Sequence, residues 1–364
     1  EKAFCFGSLE VLKQRAGVNL IATVPSAAAR ARAVDSIRPL LDAFPSGQPS
    51  SIPALVIAQR NASSSVDDYY VGLRFDYNFS PKYILTARYF RDQGELNSPL
   101  DVSGSLSRIT AVPQNGLLGL QQVLSPSILN ETKFGFNGAK TNISGVAPSV
   151  NGIDMSAISL SFTGTVALPG IGGQGASAGA STPGGLVRSN SSQNGRAQPY
   201  TNYTLSFIDN LSVLKGAHAF KFGVEFRPVR IYTDRLGGTT YTFANVAALI
   251  NNQPSSIQIL GDVSAPNPLH NGIARNRYLK QSYSILYAQD EWRIRPNITL
   301  NYGLRYEYYS VLHEDHDLYT LFLVGEGLKT GPWYHSSPRN FGPRLGLSWA
   351  PTMFSNKTVF RIGA

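Results

Sequence analysis

SYSILYAQDEWRIRPNITLNYGLRYEYYS, residues 282–310, places Tyr283, Tyr287, Trp292, Tyr302, Tyr306, Tyr308 and Tyr309 around a short polar pivot, Arg295-Pro296-Asn297. After the pivot, Ile298, Leu300, Tyr302, Leu304, Tyr306 and Tyr308 alternate with Thr299, Asn301, Gly303, Arg305 and Glu307. A period of two is the signature of a β-strand with one apolar and one polar face. The segment before the pivot alternates less cleanly: Tyr287, Gln289 and Glu291 share one parity, and Leu286, Ala288, Asp290 and Trp292 the other. Gln289 and Glu291 belong to the polar side, and Asp290 is assigned to the border of the apolar band. The whole stretch predicts a hairpin with a tight turn at Pro296.

The same pattern recurs along the chain. Val71, Leu73, Phe75, Tyr77 and Phe79 alternate with Gly72, Arg74, Asp76 and Asn78. A turn at Ser80-Pro81-Lys82 follows, and Tyr83, Leu85, Ala87 and Tyr89 continue against Thr86 and Arg88. Further turns are expected at Ser125-Pro126-Ser127 and near Lys215-Gly216-Ala217. After the latter, Phe220, Phe222, Val224 and Phe226 alternate with Lys221, Gly223, Glu225 and Arg227. Leu345, Leu347 and Trp349 stand against Arg344, Gly346 and Ser348, and a last strand follows. Ala3 to about Lys13 reads as a further strand, which brings the number to about 11.

Short turns inside each hairpin alternate with long connections at about 16–66, 93–111, 141–199, 233–280 and 311–339. Loops of that length are foreign to an ordinary compact domain, and a soluble β-sandwich turns every 8–12 residues or so. Alternating short turns and long loops are the pattern of an outer-membrane barrel, with the turns periplasmic and the loops outside. In a bilayer every backbone N–H must find a partner within the protein, so a sheet must close. One parity then faces lipid, the other a polar lumen, and Tyr and Trp gather at the interfaces. Tyr306, Tyr308 and Tyr309 are assigned to one aromatic girdle and Trp292, beside a short turn, to the other. Short helices are expected within Ala28–Phe44 and Phe243–Asn251, and the Gly/Ser-rich 164–195 is expected to be a mobile loop.

The bulk numbers agree. Charged residues make up 15% of 364, against about a quarter in soluble domains, and tyrosine alone supplies 18 residues. The single cysteine, Cys5, excludes an internal disulfide framework. The net charge is +9, but its lysines and arginines are scattered singly, with no zinc-finger spacing and no basic helix, so nucleic acid is not an expected partner. There is no run of 18 apolar residues, hence no transmembrane helix, which leaves a barrel open. The chain begins at Glu1 with no signal-peptide pattern, consistent with a fragment or processed chain.

YAQDEWRIRPNITLNYGLRYEYY (287–309), followed by NFGPRLGLSWAP and KTVFRIGA, resembles the barrel of TonB-dependent receptors, with the Oar-like group the nearest. FKFGVEFRPV, LRFDYNFSPKYILTARY and the opening KAFCFGSLEVLKQRAGVNLIATVPSAAARA are similar to the same family. The resemblance spans nearly the whole chain. Members carry a signal peptide, often a small carboxypeptidase-regulatory-like domain, a TonB box and a plug before the barrel, and none of these is recognisable here. Their barrel has about 22 strands, so residues 1–364 are expected to be the first half of one, cut at both ends. The resemblance implies a location in the bacterial outer membrane, lipid and lipopolysaccharide around the apolar face, an unknown solute as cargo, and the TonB complex as a partner of the missing N-terminal part.

Motifs with other meanings carry little here. Gly175-Ala176-Ser177-Ala178-Gly179 spells the nucleophile-elbow pattern without the strand and helix that strain it. Gly138-Ala139-Lys140-Thr141 lacks the first glycine of a P-loop. His313-Glu314-Asp315-His316-Asp317 has metal-ligand residue types, making His313 and His316 candidates, but a solvated loop tip is the favoured reading. Arg74, Arg88, Arg227, Arg305, Glu307 and Arg344 are the candidate lumen-lining residues. The arginines could serve an anionic solute or acidic groups on a plug, but pairing across strands with Asp76, Glu225, Glu291 and Glu307 is the expectation. No cofactor and no catalytic centre are expected. The favoured function is active uptake of a scarce, large solute, and the alternatives are a binding or adhesion role, a passive porin-like barrel, or a hydrolase built around Ser177 or His313.

Overall fold

The computed structural model describes residues 2–168, 177–185, 197–234, 238–260, 276–316, 321–323, 327–329, 332, 334–354 and 358–364. Eleven strands follow one another in a single antiparallel meander. They are β1 (Ala3–Pro25), β2 (Leu55–Ser80), β3 (Tyr83–Pro99), β4 (Leu106–Ser125), β5 (Ile128–Val146), β6 (Ala197–Lys215), β7 (His218–Asp234), β8 (Asn276–Arg295), β9 (Ile298–Tyr309), β10 (Phe341–Trp349) and β11 (Phe360–Gly363). The sheet is open, with β1 and β11 at its edges. The expected strands and turns are all present.

The short turns share a device. At Ser80-Pro81-Lys82, Ser125-Pro126-Ser127 and Arg295-Pro296-Asn297 the pairing shifts by one residue just before the proline. Proline has no N–H to give to the ladder, so a shifted register takes up the turn. In the two serine turns the Oγ of Ser80 or Ser125 accepts the N–H two residues on, at 3.2 Å. The fourth turn instead uses Gly216 at φ +61°, a conformation costly for any side chain.

Register fixes the faces. Leu73 lies opposite Gly7 and Tyr89, and Phe134 opposite Leu118 and Phe207. Phe222 lies opposite Leu211 and Ala288, Leu304 opposite Ala288 and Pro343, and Leu345 opposite Tyr302. These form one apolar face, on which Leu73, Phe134, Leu304 and Leu345 remain exposed. In water such a face would be an aggregation surface; in a bilayer it is the lipid contact. Tyr306 and Tyr308 lie on it, but Tyr309 does not. Tyr309 is on the polar face, paired with Tyr283 and donating to the Glu307 carboxylate at 2.6 Å.

The long connections are shorter than the sequence suggests, because the strands run on above the bilayer. β1 and β2 are 23 and 26 residues long, whereas a tilted span needs about 10. Alternation vanishes there because both faces are polar, yet the backbone ladder continues without it. Arg15 bridges to Asp67 at 2.7 Å in this region.

Above the strands the loops build a core of their own. Val24, Leu55 and Ala58 at the strand tops, Ile37, Leu41 and Phe44 in the first loop, Val102 in the second, Met155, Leu160, Phe162 and Val166 in the third, and Phe243, Leu249 and Ile250 in the fourth form one buried cluster. The first loop carries α1 (Ala27–Ala31) and α2 (Arg38–Leu41), and the fourth carries α3 (Val246–Ile250), as expected. Ser26 and Asn245 cap α1 and α3 by accepting the N–H groups of Ala29 and Ala248. Residues Ile158–Phe162 pair in parallel with Gly238–Phe243, which pair in turn with Ser256–Leu260. Asp101 ties two loops together: its carboxylate accepts the Ser181 hydroxyl at 2.6 Å and the Thr182 N–H at 2.5 Å.

Candidate functional site: the polar face of the sheet

The registers place Arg74, Arg88, Arg227, Arg305, Glu307 and Arg344 on one face, opposite in parity to the apolar one. Their ion pairs differ from the expected cross-strand pattern. Arg74 donates from Nε to Asp76 at 2.7 Å, Arg305 to Glu307 at 2.5 Å, and Arg227 pairs with Glu225. Each partner is two residues away on the same strand. Side chains at i and i+2 share a face at roughly 7 Å, which a long guanidinium spans easily. Glu291 takes no part in these pairs.

Two of the grooves on this face hold Arg74, Arg88, Arg305 and Arg344. The first, of about 540 Å³, lies over β7–β10 and is lined by Lys221, Tyr287, Gln289, Asn301, Arg305 and Arg344 among others. Gly303 and Gly346 contribute only backbone to it, and among the described residues neither Lys221 nor Arg344 has a carboxylate at ion-pair distance. The second, of about 650 Å³, lies at the β1 edge between Phe6, Ser8, Tyr70, Arg74, Arg88 and Phe90. There Arg74 and Arg88 stand directly opposite each other, an arrangement that costs stability between like charges. Arg74 is neutralised by Asp76, which also accepts the Thr86 hydroxyl at 2.7 Å. Among the described residues Arg88 has the Asn115 amide oxygen alone, at 3.5 Å. Tyr70, Phe90 and Phe6 were not singled out by the sequence, because the parity that carries the arginines looks polar and hides single aromatics.

Tyr287 shows how the face is packed. Its ring lies over Gly223, where an added Cβ would overlap it, and its hydroxyl donates to Asn210 Oδ1 at 2.8 Å. An aromatic laid across a neighbouring strand's glycine covers backbone that the missing side chain would leave bare.

The remaining candidates separate from this site. His313 begins a two-residue strand paired with Lys280. Glu314 is fully buried, not part of a solvated tip: it accepts the N–H of Tyr278 at 3.0 Å and of His316 at 2.8 Å. With a backbone N–H on each oxygen this carboxylate ties the loop to β8, and among the described residues no three His, Cys, Asp or Glu side chains gather as a cation site. Lys280, paired with Asp315, holds that carboxyl below its usual range. Asp317 lies outside the described residues. Ser177 is exposed in a two-residue pairing with Ala167 and no helix follows it within 179–185, while Gly175 and Ala176 lie outside the described residues.

Comparison with known proteins agrees with this architecture. A model for the outer membrane beta barrel domain matches residues 31–364. No curated protein matches the sequence. The outer membrane transporter YddB from Escherichia coli is similar in structure, with a TM-score of 0.50 and 14% identity over 99% of this chain and 37% of its own. The siderophore receptor PiuA from Acinetobacter baumannii gives a TM-score of 0.42 and 11% identity over 79% of this chain and 40% of its own. The ferric preacinetobactin receptor BauA of the same organism gives 0.41 and 9% over 96% and 45%. This chain thus spans less than half the length of each. The unbroken antiparallel meander, its exposed apolar face and the family match lead to one conclusion: the chain belongs to the outer membrane beta barrel domain family and resides in the bacterial outer membrane.

Proposed function

We propose that this chain is part of the wall of a TonB-dependent receptor of the Oar-like kind, which takes up a scarce, large solute across the outer membrane. The observation that carries this is the loop cap: four connections share one hydrophobic core above the strands. A passive pore gains little from a folded structure over its mouth, whereas a receptor needs a preformed surface there to select its solute. The two unpaired sheet edges support residues 1–364 being the N-terminal half of a larger barrel, since edges in lipid must be paired. Arg74, Arg88, Arg305, Glu307 and Arg344 would then line the passage, facing the solute or a plug. The reading assigns no chemistry to Ser177, His313 or His316. Energy would come from the TonB complex through a segment outside these residues.

The test is flux. The protein that carries this chain, reconstituted in liposomes, is expected to pass no small sugars passively. In cells its solute should accumulate only while TonB and the proton gradient are intact. Passive, size-limited flux would establish a porin-like barrel instead, and surface binding without accumulation an adhesion role.

A further inference from the structure

Four cations of the polar face answer their own charge within the strand. Arg74, Arg227 and Arg305 each pair with a carboxylate two residues away, and Lys133 pairs with Glu131 at 2.9 Å. Lys221 and Arg344 have no such partner. At that spacing Lys221 has Ala219 and Gly223, and Arg344 has Gly342 and Gly346. Their cross-strand neighbours are neutral as well. Lys221 stands between Ser212 and Gln289, Gln289 faces Gly303, and Gly303 faces Arg344. One row thus crosses β7 to β10 with a cation at each end and no charge between. Strands lie about 4.8 Å apart, so the two backbones are about 14 Å apart. Both residues are exposed, and both border the groove of about 540 Å³. The nearest acid, Glu291, lies one row toward the short turns and does not line the groove. Glu307, two rows the other way, is held by Arg305 and Tyr309.

An unpaired cation on an open surface is ordinary. Two that border one groove in a low-dielectric wall focus their field on whatever enters it. We infer that the row is a binding site for a solute with two oxyanion groups, carboxylates or phosphates: Lys221 takes one, Arg344 the other, and the body lies over Gln289 and Gly303. The guanidinium fork of Arg344 suits either acid in a bidentate pair, and the Lys221 ammonium acts as a point charge. The amides of Gln289 and Asn301, which also line the groove, supply neutral donors between them. Lys221 lies close to the Gly216 turn, so the site is on the periplasmic side of the wall and a solute meets it after the cap. The inference rests on this face being the passage of an uptake barrel, and it adds the chemical class of what passes.

The experiment is isothermal titration of the whole protein carrying this chain, folded in detergent, with pyrophosphate, with glutarate and with the neutral glutaramide. Pyrophosphate or glutarate is expected to bind and glutaramide is not, and the tighter of the two names the acid group. Lys221→Gln and Arg344→Gln should each weaken binding about tenfold, the scale of a lost charge-assisted hydrogen bond. Gln289→Glu, which keeps both cations and supplies the missing counter-ion, should weaken it by about as much. Lys133→Gln removes a cation that already has its carboxylate and should leave binding unchanged. Folding of each variant is checked by its heat-modifiable gel mobility, and Gln289→Glu stands in if a cation variant does not fold. Binding of neither acid, or equal weakening by Lys133→Gln, overturns the site. Accumulation that depends on TonB without anion binding overturns the site alone. Passive flux with anion binding intact overturns the uptake reading and leaves the site.

Discussion

The wall and the cap of this protein are stabilised in opposite ways. Of the buried hydrophobic side chains among the described residues, only Ile285 belongs to the membrane part of the sheet; the others lie in the loops and the strand tops. The wall keeps its apolar residues outside, where lipid solvates them, and holds together through the backbone ladder. The cap stands in water and must bury its own. A substitution that removes apolar volume should therefore hurt the cap and spare the wall, while one that adds charge should do the reverse.

Phe243→Ala offers the largest effect. Phe243 is fully buried in the cap, so its loss should cost about 3–5 kcal/mol locally. Proteases should then cut within the loops while the strands stay heat-modifiable. Leu286→Ala, on the exposed apolar face, should cost far less, because lipid fills the space; comparable losses at the two sites would break the contrast. The reverse test is Leu286→Arg, expected to cost up to about 4 kcal/mol depending on depth and to lower the folded fraction on refolding into vesicles.

Gly223→Ala sharpens the picture of the wall. The new methyl meets the Tyr287 ring, an overpacking worth about 1–3 kcal/mol. Combined with Tyr287→Ala the penalty should be less than the sum of the two, because the clash is gone. Additive losses would show that Tyr287 moves freely off the glycine.

The smallest effect is one of pH. Lys280 lowers the Asp315 pKa, so the pair contributes stability above the unfolded carboxylate range and loses it as pH falls through the depressed folded value. Both side chains are over a third exposed, so salt should screen the effect. The protection factor of the Asp315 amide, which donates to the Tyr278 carbonyl at 2.8 Å, should fall below about pH 4 in the native protein. In Lys280→Met it should be low at every pH.

The sequence by itself determined the membrane part of the wall: which residues form strands there, where Pro81, Pro126, Pro296 and Gly216 turn the chain, and which parity faces lipid. These follow from neighbours one or two residues apart, and alternation records them directly. It also placed the candidate arginines on one face, because register preserves parity across the sheet. Only the tertiary structure decided their partners, since the choice between Asp76 on the same strand and an acid across the gap depends on where each guanidinium reaches. It alone extended β1 and β2 above the bilayer, where polar residues on both faces erase the periodicity. It alone made a core of Phe44, Phe162 and Phe243, which lie up to two hundred residues apart in loops with no period to reveal a buried side. Asp290 illustrates the limit most clearly: its position beside the apolar band was visible, but its burial beneath His218 and Tyr302 requires three strands to meet.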